Sequence, residues 1–245
     1  MTCIVRPLTC GWMTSDASFM VRGQPGRMRF PVAAFLIEHR DGLVLFDSGM
    51  HAELLTSKDR LRAVGSIFDI ELTEEGLVRG QLAALGVDPA DVTVAVASHL
   101  HYDHCGGLGQ LPNARVVVQQ AEWDAAHDPE AVELGGYNPD DFEVGHDRQL
   151  LDGDHDLFGD GSLVLQSSAG HTAGHQSLLV DGRVLLVGDA CYCRLALDTD
   201  TLPAFTFDAE RQRKGFAWLR HQEAAGVRVV FSHDAPQWAT LGPTI

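Results

Sequence analysis

Three histidines and an aspartate fall within six residues, His99-Leu100-His101-Tyr102-Asp103-His104. An apolar run, residues 92–97, leads into this stretch, and Gly106-Gly107 follow it. That pattern reads as a buried strand ending in a loop that aims several ligands at one point. Histidine fills only 12 of 245 positions, so the crowding is not a composition effect. Four such side chains packed together would each need a buried partner, and a divalent cation serves all of them at once. A polar loop whose histidines bond only to backbone is the rival reading.

Four more strand ends carry candidate groups. Residues 43–47 form a short apolar run ending at Asp47. Asp47 reads either as a ligand or, preferred, as a carboxylate that accepts loop N–H bonds beneath the site. Residues 163–167 run into Gly170-His171-Thr172-Ala173-Gly174-His175. Residues 176–180 and 183–187 flank Asp181-Gly182, the signature of a hairpin with a type I′ turn, and the second run ends at Gly188-Asp189. Residues 227–231 end at Ser232-His233-Asp234. Small neighbours let the backbone turn tightly, and a sheet holds such ends rigidly.

The remaining segments frame these five. Residues 32–38 are almost all apolar, so this strand is expected to be buried on both faces and to pair with 43–47 around Asp41-Gly42. Thr73 is expected to cap a helix through Leu85, with Gly86 after it. A strand is expected at 115–118, followed by a short helix to His127. Asp208 is expected to cap a helix to Ala225. Residues 10–31 and 50–72 look irregular but apolar, suited to packing or to lining a pocket. Residues 128–148, with Gly135-Gly136 and Pro139, look like an excursion at the edge of the domain. His127, His146 and His155, in or beside it, are expected in solvent. Nothing marks an internal linker, so residues 1–245 are expected to form one layered domain.

Composition narrows the function. The formal net charge is −16, which argues against a nucleic-acid partner and an anionic membrane surface. It leaves small neutral substrates open. No run approaches a membrane span, and no secretory signal is visible. Five cysteines, with no C-x-x-C pair, imply free thiols in a reducing cytoplasm. Cys105 and Cys191 adjoin candidate ligands, but packing is their preferred role.

Taken together and in order, these elements resemble the metallo-β-lactamase-fold hydrolases: Asp47, His99-x-His101-x-Asp103-His104, His171, Asp189 and His233. The resemblance covers residues 32–233 and implies an α/β fold of the four-layer αββα sandwich type. It also implies that His99, His101 and His171 hold one metal ion, that Asp103, His104 and His233 hold a second, and that Asp189 bridges them. Seven N and O ligands suit two divalent ions, with zinc first. Two such ions can share a hydroxide able to attack a carbonyl carbon.

Within that family the sequence is most similar to the N-acyl homoserine lactonases, the quorum-quenching branch. Residues 98–107 match Ser-His-Leu-His-aromatic-Asp-His-x-Gly-Gly, with Tyr102 where phenylalanine is common. Residues 170–178 match Gly-His-Thr-x-Gly-His-Gln-Ser-Leu, and 189–192 match Asp-Ala-x-Tyr. The resemblance implies that Tyr192 binds the lactone carbonyl and its oxyanion, and that Asp103 passes a proton to the leaving alkoxide. A packed Tyr192 bonded to backbone is the alternative. Met20, Ile67 and Phe68 are the candidates for the acyl-chain pocket. His175 is read as structural, and Asp234 either orients His233 or solvates a loop.

The expected partner is thus a small neutral lactone, and the expected assembly a monomer or homodimer. Arg29-Phe30-Pro31 and His104-Cys105-Gly106-Gly107 also match pyridoxolactonase-like enzymes, which leaves the lactone open. A glyoxalase II-like thioesterase would use the same ligands but needs basic residues near the C-terminus, and residues 234–245 hold none. A persulfide dioxygenase would use one iron on two histidines and an aspartate. A member that only binds would have no need of all seven ligands.

Overall fold

The computed structural model describes residues 2–134 and 136–245; Gly135 of the expected excursion lies outside them. Its strands are β1 (Ile4–Asp16), β2 (Arg27–His39), β3 (Gly42–Phe46), β4 (Asp69–Glu71), β5 (Val92–Val96), β6 (Arg115–Gln119), β7 (Arg148–Leu151), β8 (His155–Asp156), β9 (Leu163–Ser167), β10 (Gln176–Val180), β11 (Val184–Leu186) and β12 (Arg228–Val230). Its helices are α1 (Ala17–Met20), α2 (Val78–Ala84), α3 (Tyr102–Cys105), α4 (Gln120–Ala125), α5 (Pro129–Leu134), α6 (Pro139–Phe142), α7 (Arg194–Thr199), α8 (Ala209–Ala224) and α9 (Ala235–Trp238). One sheet runs β4-β1-β2-β3-β5-β6-β7 and the other β12-β11-β10-β9-β8.

Side-chain alternation builds the layers. In β2, Ala33, Phe35 and Ile37 join Val5, Phe46, Val96, Leu165, Leu178 and Leu186 in the core between the sheets. The intervening Val32, Ala34 and Leu36 face the other way, into a cluster shared with Val78 and Leu82 of α2. On the far sheet, Leu185 and Val229 meet Phe216 and Leu219 of α8 in that second cluster. Helix, sheet, sheet, helix is the expected αββα order, and the apolar run of β2 is buried on both faces as expected. Among the described residues, no helix is long and apolar enough to cross a membrane.

Strand direction puts the site at one edge. β3, β5 and β6 are mutually parallel. β9 and β11 both run antiparallel to β10, and β11 is parallel to β12. The chain therefore leaves β3, β5, β9, β11 and β12 in a common direction within each sheet. A backbone bond from Gln176 to the Ser98 carbonyl, 2.9 Å, joins the two sheets there.

Local expectations mostly hold. Asp181 and Gly182 have φ of 50° and 64°, the type I′ turn. Asp208 caps α8 by accepting from Glu210 and Arg211 N–H. Three readings are corrected. Residues 10–31 are ordered: β1 and β2 pair over most of their length, with α1 between them. Gly, Ser and Pro hid this, because the pairing is set by a partner distant in sequence. Thr73 does not begin a helix. Its hydroxyl accepts from Gly76 in a turn, and α2 starts only at Val78, after Leu77 is buried. His146 and His155 are half-buried rather than exposed; His146 Nε2 donates to the Leu111 carbonyl.

Gly107 is where the ligand loop passes the β3 end: a Cβ there would lie 2.0 Å from the Ser48 carbonyl oxygen. Gly107→Ala should therefore lower stability by roughly 1–3 kcal/mol. Gly109→Ala, whose Cβ meets only Val144 at 3.7 Å, should stay within about 0.5 kcal/mol. Urea midpoints at constant m-value check both, and equal midpoints would refute the steric account.

Candidate metal centre

The loop after β5 delivers His99 and His101 before α3, and α3 carries Asp103 and His104. His171 comes from the β9–β10 connection, Asp189 from the turn after β11, and His233 from the end of β12. All seven are buried. Sequence reading named all seven, and the fold brings them together.

Two clusters result. His99 Nε2 lies 2.9 Å from His101 Nδ1, and His171 Nε2 lies 3.1 Å from the same atom. Asp189 Oδ2 stands 3.7 Å from His99 Nε2 and 3.3 Å from His171 Nε2. In the second cluster, Asp103 Oδ2 is 3.6 Å from His104 Nε2 and 3.7 Å from His233 Nε2. Asp189 Oδ1 is 3.4 Å from His104 Nε2 and 3.1 Å from His233 Nε2. Asp189 thus gives one oxygen to each cluster.

Bonds behind the rings fix which nitrogen faces inward. His104 Nδ1 donates to Asp47 Oδ2 at 2.8 Å, and His233 Nδ1 donates to the Pro31 carbonyl at 2.8 Å. In the neutral tautomer, the form that would ligate a metal, both Nε2 atoms are bare lone pairs facing carboxylate oxygens. His104 Nε2 and Asp189 Oδ1 have no hydrogen-bond partner. Acceptors held against acceptors out of water are costly unless cations lie between them. The triads His99-His101-His171 and Asp103-His104-His233 each converge closely enough to hold an ion. The donors are N and O, the set that divalent ions such as zinc take.

Proton affinities follow the same geometry. Burial holds His99 and His171 well below the ordinary imidazole range, and pushes His101 down to about 3. Burial opposes charge on His104 as well, but Asp189, Asp103 and Asp47 outweigh it and raise its pKa. A neutral imidazole is the form that can ligate a metal.

Asp47 lies beneath the centre, as preferred from sequence. Its Oδ1 accepts from Ser98 N–H at 2.7 Å and its Oδ2 from the Ser98 hydroxyl at 2.9 Å. It adopts the left-handed φ of 59° to do so. His175 Nε2 accepts the Asp189 N–H at 2.9 Å and so holds that turn. Asp234 neither orients His233 nor faces solvent. It is buried, caps α9 and accepts from Arg194 N–H. Cys105 and Cys191 are buried and belong to neither triad.

Sequence reading missed Glu122, a fully buried carboxylate on α4. It accepts from Leu100 N–H, Gly174 N–H and the Tyr137 hydroxyl, each at 3.0 Å. Those bonds tie the His99–His101 loop to the His171 loop. Tyr137 comes from the expected edge excursion, yet its ring sits 4.9 Å from that of His101. A lone acid between Ala121 and Trp123 offers no pattern to find.

A cavity of about 380 Å³ opens onto the centre. Asp103, Asp189, His233 and Tyr192 line its inner end, and Met20, Ile67 and Phe68 line its walls. Met13, Phe19 and Phe205 add to the walls and were not singled out from sequence. The Tyr192 ring is 5.4 Å from His171 and 5.5 Å from His233.

Comparison with known proteins agrees with this geometry. A family model described as Metallo-beta-lactamase superfamily matches residues 27–233. The chain is 37% identical over 238 residues to the N-acyl homoserine lactonase AttM of Azorhizobium caulinodans, covering 91% of this chain and 89% of that protein. It is 30% identical over 222 residues to an N-acyl homoserine lactonase of Bacillus sp, covering 87% and 85%. Among solved structures, an N-acyl homoserine lactone hydrolase with the product N-hexanoyl-L-homoserine at its catalytic metal center superposes with a TM-score of 0.87. That match has 26% identity and covers 99% of this chain and 98% of that one. With a matching family model over most of its length and curated relatives above 30% identity, this chain belongs to the metallo-beta-lactamase superfamily.

Proposed function

We propose that this protein is a metal-dependent hydrolase that opens the ring of N-acyl homoserine lactones. The observation that carries the reading is Asp189, whose two oxygens serve separate clusters 3.1–3.7 Å from their nitrogens. His99, His101 and His171 would hold one divalent ion and Asp103, His104 and His233 a second, with Asp189 offering one oxygen to each cluster. Zinc suits the donor set first. Divalent ions held there would supply Lewis acidity and lower the pKa of a water towards neutral pH.

The chain's own groups do the rest. Burial, followed by the Asp189 and Asp103 charges, keeps the Tyr192 phenol protonated far above neutral pH. The Tyr192 backbone carbonyl accepts from His233 N–H at 3.2 Å, but its hydroxyl makes no hydrogen bond among the described residues and is free to donate to the lactone carbonyl oxygen as negative charge grows there. Asp103, at the inner end of the cavity, carries the proton to the departing ring oxygen. Met20, Ile67 and Phe68 enclose the acyl chain and exclude water from it. No lysine or arginine lines the cavity among the described residues, which favours a neutral substrate over a glutathione thioester with its free carboxylates.

The protein should release acid from acyl homoserine lactones in a pH-stat panel that includes a pyridoxolactone and a glutathione thioester. Elemental analysis of the same sample should find two ions per chain. Turnover of the thioester alone, or a single oxygen-reactive iron, would overturn the proposal. Tyr192→Phe should lower kcat by about 10²-fold; an unchanged rate would leave Tyr192 a packing residue. Asp47→Asn should weaken metal binding by roughly 10–100-fold through loss of the His104 tether, measured by competition with a chelator. Native affinity in that variant would show that His104 needs no such support.

A further inference from the structure

With no partner for its hydroxyl among the described residues, Tyr192 is placed by its ring contacts and by its backbone. The backbone around it is extended: Cys191 and Cys193 have φ of −153° and −157°, between the turn at Gly188–Ala190 and α7. Two consecutive residues at the end of β12 hold this stretch. The Tyr192 carbonyl accepts from His233 N–H at 3.2 Å, and Arg194 N–H donates to Asp234 Oδ2 at 2.6 Å. A stretch tied at one point can pivot. Tied at both Tyr192 and Arg194, it has a fixed position and a fixed angle.

Asp234 is 4% exposed and divides its two oxygens between two helices. Its Oδ1 accepts Gln237 N–H at 2.7 Å and caps α9. Its Oδ2 meets the N–H of Arg194, the first residue of α7. A helix ordinarily draws its cap from the residue just before it, but the Cys193 side chain makes no such bond. The cap of α7 comes instead from a residue 40 positions further on, next to the candidate ligand His233. Only the main chain of Arg194 is used in this tie. Its guanidinium goes to Glu223 of α8, with Nη1 3.0 Å from the carboxylate.

We propose that Asp234 is a positioning residue for the reaction: by clamping the start of α7 it fixes where the Tyr192 hydroxyl stands relative to the metal centre. Asp234 does not line the cavity, so it acts through Tyr192 and not on the substrate. The inference rests on the lactonase reading, in which Tyr192 donates to the developing oxyanion, and adds the group that aims that donor. An oxyanion donor works only at hydrogen-bond distance from the growing charge. A displacement of about 1 Å therefore forfeits much of its contribution.

The test is a double-mutant cycle on the metal-loaded full chain with N-octanoyl homoserine lactone. Asp234→Ser keeps a short oxygen to cap α9 but gives up the bond to Arg194. It should lower kcat by about 10-fold and leave KM within about 2-fold, as for an interaction made in the transition state. In the Tyr192→Phe background the same change should lower kcat by less than about 2-fold, because no hydroxyl is left to place. Asp234→Ala also removes the α9 cap, so its urea midpoint should fall below that of Asp234→Ser while its kcat matches. Chelator competition should find native metal affinity in both variants. A full further loss in the Tyr192→Phe background overturns the proposal. So does a metal-affinity loss that accounts for the rate, which would make Asp234 a support of His233. Native kcat in Asp234→Ser beside a slow Asp234→Ala would assign the effect to the α9 cap and overturn it too. If Asp234→Ala does not fold, the Asp234→Ser cycle decides alone; failure of both to fold would make Asp234 a stability residue and overturn the proposal. A native rate in Tyr192→Phe removes the Tyr192 role and this proposal together, and failure to open any acyl homoserine lactone removes the lactonase reading with them. A slow Tyr192→Phe beside a native Asp234→Ser overturns this proposal alone.

Discussion

Inward-facing lone pairs are the constraint on which the structure depends. Six imidazole or carboxylate groups and the shared Asp189 converge in a buried pit with acceptor set against acceptor. Such a cluster is unfavourable out of water unless cations neutralise it. It also cannot relax, because each ring is held from behind. Asp47 holds His104, Pro31 holds His233, and His175 holds the Asp189 turn. The fold stores its ligand geometry in these outer bonds.

The sheets supply the rigidity those bonds require. Parallel neighbours within each sheet release the chain in one direction, so ligands far apart in sequence arrive at a common edge. Glu122 then fastens two of the arriving loops to each other. Its burial raises the carboxyl pKa, and its bonds to backbone N–H groups act against that rise. The support is thus polar throughout, while the neighbouring cavity is apolar. A reaction that develops charge at one end and seats a hydrocarbon chain at the other needs that division.

Legibility in the sequence followed the range of the interactions involved. The histidine cluster, the type I′ hairpin at Asp181-Gly182 and the Asp208 cap are local patterns, and all three stand in the structure. Residues 10–31 looked irregular because β1 is defined by pairing with β2 and β4, not by its own alternation. Thr73 looked like a cap, but burial of Leu77 moved the start of α2. Glu122 and Tyr137 carried no signal, since each acquires its role only when three separate segments meet.

Residue types and spacing therefore marked the candidate ligand positions at the strand ends and the layered class, and the family resemblance grouped those positions into a set. Metal-binding side chains at strand ends leave a periodic, chance-resistant mark. The split of Asp189 between two clusters, the apolar walls of the cavity and the tie from Asp234 to the start of α7 were decided only by tertiary structure. Each depends on distances of a few ångströms between residues tens of positions apart, and a one-dimensional pattern does not encode such distances.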